Sequence, residues 1–170
     1  MNQNLKYLQL FEDKFTSLKR LSRLGLVDLP DEIRDYLAGP GTGDLDLTFT
    51  GIREIPEGFR VGGSLNLMGS RIKRLPDGLE IGGDLYLSSS GIEEIPADIK
   101  IGGNLELRGT KLERLPDGLE IGGSLDLRAS LIESLPNGLR VGHNLYLAGS
   151  DVTELPDDLE VGGQIYGFRG

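Results

Sequence analysis

The sequence predicts a β-rich solenoid: stacked twenty-residue coils with a parallel β-sheet on one face and an α-helical cap at the N-terminus. Three observations carry that prediction. Pro56, Pro76, Pro96, Pro116, Pro136 and Pro156 recur at a spacing of 20, each preceded by Leu or Ile and followed three residues later by Phe, Leu or Ile. Alternating triplets such as Leu85-Tyr86-Leu87 recur at the same interval. Ahead of the repeats, Leu5, Leu8, Phe11, Phe15, Leu18 and Leu21 advance in steps of three and four, which places one apolar stripe along a helix.

The repeat unit reads Gly-x-Leu-x-Leu-x-x-Ser/Thr-x-Ile-x-x-Leu-Pro-x-x-Leu-x-Val/Ile-Gly. Six copies begin at Gly43, Gly63, Gly83, Gly103, Gly123 and His143, and a partial seventh runs from Gly163 to Gly170. A unit this short cannot bury its own apolar side, so neighbouring coils must share one continuous core. The triplet is a short strand that turns its leucines inward, and stacked triplets centred on Asp46, Asn66, Tyr86, Glu106, Asp126, Tyr146 and Tyr166 form the sheet. The Ile/Leu-Pro step disfavours helix for the preceding residue, so the return path is extended or a tight 3₁₀ turn. Gly62, Gly82, Gly102, Gly122, Gly142 and Gly162 hold one corner without exception, which implies a positive φ or a backbone approach that excludes Cβ. The following position reads as looser, since His143 replaces Gly there.

Thr50, Ser70, Ser90, Thr110, Ser130 and Ser150 place a hydroxyl directly after each strand, where it can satisfy turn backbone ladder-fashion from coil to coil. Charges support the same register: Arg60, Glu80, Lys100, Glu120, Arg140 and Glu160 alternate in sign, as do Glu54, Arg74, Glu94 and Arg114. Residues 1–42 form a cap with a partial repeat and residues 43–170 the solenoid. Within the cap, Gly25 stops the helix, Leu26 to Ile33 resembles the second half of a repeat, and Arg34 to Thr42 is an insertion carrying the Gly39-Pro40-Gly41 turn.

The run Leu85-x-Leu87-x-x-Ser90-x-Ile92-x-x-Ile95 resembles the core motif of the leucine-rich repeat family, with Ser/Thr where Asn is usual. The match extends from about Gly43 to Ile165, and its nearest variety is similar to the short, Leu-Pro-containing repeats of bacterial secreted effectors. The resemblance implies a right-handed, curved solenoid with the sheet on its concave face and a role in protein recognition. Two features depart from the family. The Val/Ile-Gly-Gly segment lengthens the spacing before the strand by one residue, and the nucleophilic cysteine of ligase-bearing relatives has no counterpart here. The opening Tyr7-Leu8-Gln9-Leu10-Phe11-Glu12 also resembles the start of many small tailed-phage proteins.

Composition narrows the function. The 170 residues carry a formal net charge of −9, and because residues before Gly43 balance six basic against six acidic side chains, that charge belongs to the repeats. An acidic surface argues against nucleic acid or anionic membrane as partner. With no Cys and one His there is no thiolate nucleophile, Cys-ligated metal or histidine cluster, so no enzymatic role, metal or cofactor is expected. No apolar run has the length of a membrane span and the first ten residues lack a secretory pattern, so the chain reads as soluble and cytoplasmic.

Function is expected on the strand face, where side chains project from a rigid sheet. Tyr86, Tyr146 and Tyr166 are the large amphipathic groups on a strip that also holds Glu106, Asp126, Arg108 and Arg128, and these seven residues are the expected contact set for a protein partner. By analogy with the family, binding could block a host or competitor factor. A second reading assigns self-assembly, for instance as a homodimer, to a C-terminal edge formed by Ile165, Tyr166 and Phe168.

Overall fold

The computed structural model describes residues 30–169. The expected helix through Leu5–Leu21 and its stop at Gly25 lie outside the described residues, as do Leu26–Leu29 of the partial repeat. The described chain opens with α1 (Asp31–Ala38), which starts after Pro30, carries Asp31 and Glu32 in its first turn and buries Ile33 and Leu37. The last part of the expected repeat half, residues 31–33, and the start of the expected insertion, residues 34–38, are thus helical. Two apolar residues spaced i, i+4, behind a proline suited to a helix start, make an amphipathic turn that outcompetes a coil-like path. Tyr36 fixes the helix to the first coil: its hydroxyl donates to the Gly41 carbonyl at 2.7 Å and accepts the Gly62 N–H at 3.1 Å, while its ring lies 5.8 Å from that of Phe59.

From Leu45 the chain winds as a parallel β-solenoid. One sheet has seven strands in the order β1 (Leu45–Asp46), β3 (Leu65–Asn66), β5 (Leu85–Tyr86), β7 (Leu105–Glu106), β9 (Leu125–Asp126), β11 (Leu145–Tyr146) and β13 (Ile165–Tyr166). Each strand pairs in parallel with the residue twenty positions away, Leu85 with Leu105 and Tyr86 with Glu106 for example, so the repeat period is the stacking register. Each coil points six apolar side chains inward. In the third coil these are Leu85, Leu87, Ile92, Ile95, Ile99 and Ile101, all buried. The core is therefore a set of apolar columns running the length of the stack, and each coil is buried by its neighbours.

The return path holds an element the sequence reading lacked. β2 (Arg60–Val61), β4 (Glu80–Ile81), β6 (Lys100–Ile101), β8 (Glu120–Ile121), β10 (Arg140–Val141) and β12 (Glu160–Val161) form a second, six-stranded parallel sheet. Each of its strands ends at the residue just before the corner glycine. Its outward residues are the alternating charge column, now paired across strands: Arg60–Glu80 at 3.0 Å, Lys100–Glu80 at 2.7 Å, and Arg140 with both Glu120 and Glu160 at 3.3 Å. These exposed pairs contribute at most about 1 kcal/mol each, so they tune register while the apolar columns supply stability.

The invariant corner glycines owe their identity to backbone approach rather than positive φ. A Cβ at Gly122 would lie 2.9 Å from the Gly102 carbonyl carbon and closer still to its oxygen, and the same contact recurs coil by coil. The following position is tight as well, in contrast to the expectation. A Cβ at Gly103 or Gly123 would sit 2.7 Å from the backbone and closer to the Asp84 or Asn104 side chain beneath it. His143 is accommodated over Ser124, and the one equivalent glycine above a serine, Gly83 over Ser64, meets nothing nearer than that hydroxyl at 2.6 Å and the backbone at 2.9 Å.

Candidate functional site

Strand-face residues stand on a sheet whose inter-coil hydrogen bonds are continued by a side-chain ladder just ahead of the strands. Asp44 accepts the Ser64 N–H at 2.7 Å, Ser64 the Asp84 N–H at 3.1 Å, and Asp84 the Asn104 N–H at 2.6 Å. Asn104 takes the Ser124 N–H at 2.7 Å, Ser124 the Asn144 N–H at 3.2 Å, and Asn144 the Gln164 N–H at 2.9 Å. Only short acceptor side chains occupy this column through residue 144, a signal present in the sequence that the expected sites do not use. The Ser/Thr column works differently from expectation. Thr50, Thr110, Ser130 and Ser150 donate to the carbonyl three residues earlier in their own coil, at 2.7–2.8 Å, so these hydroxyls close each turn instead of linking coils.

On this base the expected contact residues fall into two groups. The first is contiguous across β9, β11 and β13. Asp126 is buried and holds Arg128, whose Nε lies 2.9 and 3.0 Å from the two carboxylate oxygens. The Arg128 guanidinium sits 5.4 Å from the Tyr146 ring centroid, and Tyr146 stacks on Tyr166 at 5.1 Å with ring planes 10° apart. A guanidinium and two phenols thus follow one another from coil to coil, with the Asp126 carboxylate beside the guanidinium in its own coil. Such preorganisation removes much of the rotamer entropy that a binding surface otherwise loses on contact. Arg108, one coil earlier in the Arg128 column, is exposed.

The second group lies toward the N-terminal coils. Tyr86 is separated from the aromatic stack by two coils and donates its hydroxyl to Asp84 Oδ2 at 2.8 Å. That hydrogen bond, with burial second, pushes the Tyr86 phenol up to about 12. The Asn104 backbone N–H holds the Asp84 carboxyl below its ordinary value. Burial pushes the Asp126 carboxyl up, but hydrogen bonds from Arg128 outweigh it and leave the group lowered. Glu106 lies between the groups and is raised, first by burial and then by the Asp126 and Asp84 charges.

Glu106 therefore destabilises the fold when ionised. Its folded-state affinity for a proton exceeds that of the unfolded chain, so its favourable contribution is present in acid and is lost as pH rises through the raised value. Glu106→Gln is expected to raise the urea unfolding midpoint at neutral pH, with the gain vanishing as pH falls below the carboxylate range. An unchanged midpoint at neutral pH would contradict this electrostatic reading.

At the C-terminal edge, Ile165 occupies the column of fully buried leucines yet is 36% exposed, Tyr166 is 44% exposed, and Phe168 packs partly against the core. Phe49 was absent from the expected site although it is 74% exposed and held at φ 54, an uncommon conformation for a bulky residue. Its column otherwise reads Gly69, Ser89, Gly109, Ala129 and Gly149, so the aromatic exception was legible. Among the described residues no three acidic or imidazole side chains group as a metal ion requires, and no helix is long and apolar enough to cross a membrane. Comparison with family models, with curated proteins and with solved structures gives no match for this chain, so a functional reading rests on its own residues.

Proposed function

We propose that the chain is a non-enzymatic recognition protein of the leucine-rich-repeat kind that binds another protein through the seven-stranded face. The observation that carries this reading is the Asp126–Arg128–Tyr146–Tyr166 cluster. Tyr and Arg are the residue types that dominate binding hot spots, and here Arg128 and Tyr146 are half-buried, Tyr166 is exposed, and the three are mutually fixed. Seven strands at ~4.8 Å span ~30 Å, the width of one side of a standard interface. Along the axis the face carries Asp44, Asp46 and Asp84 with Tyr86, then Glu106, Arg108, Asp126 and Arg128, and ends on the rings of Tyr146 and Tyr166. A protein partner complementary to that order would be fixed in one direction along the solenoid.

The test is selection of folded binders or peptides from a display library against the intact chain, followed by measurement on the Tyr146→Ala/Tyr166→Ala double variant. Selected ligands are expected to lose about 2–4 kcal/mol, roughly thirtyfold or more in affinity. Retention of affinity by every selected ligand, with the variant folded, overturns the reading.

A second reading, self-assembly through Ile165, Tyr166 and Phe168, draws on the exposure of Ile165 in an otherwise buried column. It predicts a dimer by light scattering that Ile165→Asp converts to monomer. A monomer at every concentration contradicts it.

A further inference from the structure

The turn Pro136-Asn137-Gly138-Leu139 differs from the other five turns at this position. Asn137 supplies the chain's one Asn-Gly step, since Asn2, Asn4, Asn66, Asn104 and Asn144 precede Gln or Leu. A glycine after asparagine leaves the main-chain nitrogen open to the side-chain carboxamide, because no Cβ shields the approach. Asn137 is exposed, and its carboxamide makes no hydrogen bond among the described residues, whereas the Oδ1 atoms of Asn66, Asn104 and Asn144 each accept a backbone N–H.

Carboxylates of the neighbouring coils grip this turn. The Asn137 N–H donates to Asp117 Oδ1 at 3.0 Å, and the Gly138 N–H donates to Asp158 Oδ2 at 2.8 Å. The Gly138 nitrogen is the atom that would attack, and it can do so only after that hydrogen bond breaks and its proton leaves. A carboxylate against the N–H disfavours the peptide anion by like charge and holds the nitrogen's hydrogen out of reach of hydroxide.

We propose that Asn137 is a spontaneous modification site, converting to aspartate and isoaspartate, and that Asp158 on the next coil sets the rate by restraining the Gly138 nitrogen. In the first step the Gly138 nitrogen bonds to the Asn137 side-chain carbonyl carbon. The carbon–nitrogen bond of the carboxamide breaks, and ammonia leaves with the proton given up by the peptide nitrogen. Water then opens the cyclic imide. Cleavage on the side-chain carbonyl restores the normal backbone with aspartate; cleavage on the main-chain carbonyl routes the backbone through the side-chain carbon. The net change is one amide and one water converted to one carboxyl and one ammonia.

The two products have different consequences for the fold. Aspartate at 137 reproduces the Asp-Gly turns already accepted at Asp77-Gly78 and Asp117-Gly118, while adding a carboxylate between Asp117 and Asp157 in one column. Isoaspartate adds a methylene to the main chain two positions before Leu139, a fully buried member of the core. The isoaspartyl form therefore displaces a packed leucine, and aspartate does not.

The experiment is prolonged incubation of the intact chain at physiological temperature and mildly alkaline pH, with peptide mapping by mass spectrometry and isoaspartate detection. Wild type, Asp158→Ala and Asn137→Asp are compared, with circular dichroism confirming that each is folded. The expected result is a one-mass-unit gain confined to the Asn137 peptide, several-fold faster in Asp158→Ala and absent in Asn137→Asp. An Asn137 that stays intact while a synthetic peptide of the same turn converts overturns the site. Conversion at an unchanged or slower rate in Asp158→Ala overturns the restraint by Asp158.

Discussion

Gly122→Ala is expected to destabilise the solenoid by about 3 kcal/mol or more, shifting the urea midpoint far to lower concentration or preventing soluble expression. The added methyl meets the Gly102 carbonyl, which belongs to backbone and has no rotamer to escape into. Relief would require the coils to separate where Gly122 donates its N–H to the Ile101 carbonyl at 3.1 Å. Two comparison substitutions isolate the cause. Gly43→Ala, where a Cβ would meet nothing within 4 Å, should change stability by less than about 0.5 kcal/mol. Gly118→Ala, open in space but at φ +71, should cost about 1 kcal/mol from backbone strain alone. A Gly122→Ala loss no larger than that at Gly118 would mean that the corners are not in van der Waals register.

Leu125→Ala carries the second large effect. Leu125 is fully buried in the middle of a leucine column, with Leu105 and Leu145 paired to it on either side. Truncation removes its transfer energy and leaves a cavity that two stacked neighbours cannot fill without breaking sheet register, so a loss of about 2–5 kcal/mol is expected. Ile165→Ala in the same column should cost far less, because that side chain is already 36% exposed. Equal losses at 125 and 165 by urea denaturation would show that the core is not shared between coils.

Why were some features legible in the sequence and others not? The period, the inward leucines and the charge columns were readable because stacking at a fixed interval makes sequence spacing and spatial neighbourhood the same thing. Arg60 and Glu80 are paired in space because they are twenty apart. The second sheet was legible in the same way as the first, since Leu79-Glu80-Ile81 alternates as Leu85-Tyr86-Leu87 does and its strands are equally short; the Pro turn before it and the Gly pair after it drew the reading to a return path instead of a strand. Helix α1 was missed because Pro30-Asp31-Glu32-Ile33 imitates a repeat, and only the additional spacing to Leu37 distinguishes a helical face.

The candidate site was legible as residue types and positions but not as geometry. Tyr86, Tyr146 and Tyr166 share one column, yet only the latter two stack, since Glu106 and Asp126 intervene and Asp84 draws the Tyr86 hydroxyl aside. The pairing of Asp126 with Arg128 two residues later links adjacent columns of one coil, a relation the twenty-residue period does not report. The Asp44-to-Asn144 ladder, by contrast, was present in full as a column of short acceptors and needed only the question of where the corner N–H groups find partners.

Backbone amide NMR of the chain with its tightest selected ligand tests the central claim most directly. The recognition reading predicts that shift changes concentrate at Glu106, Arg108, Asp126, Arg128, Tyr146 and Tyr166 and leave Glu80, Lys100, Glu120 and Arg140 on the second sheet unmoved. Changes centred on that second sheet, or on the exposed Phe49 away from the aromatic stack, would contradict it.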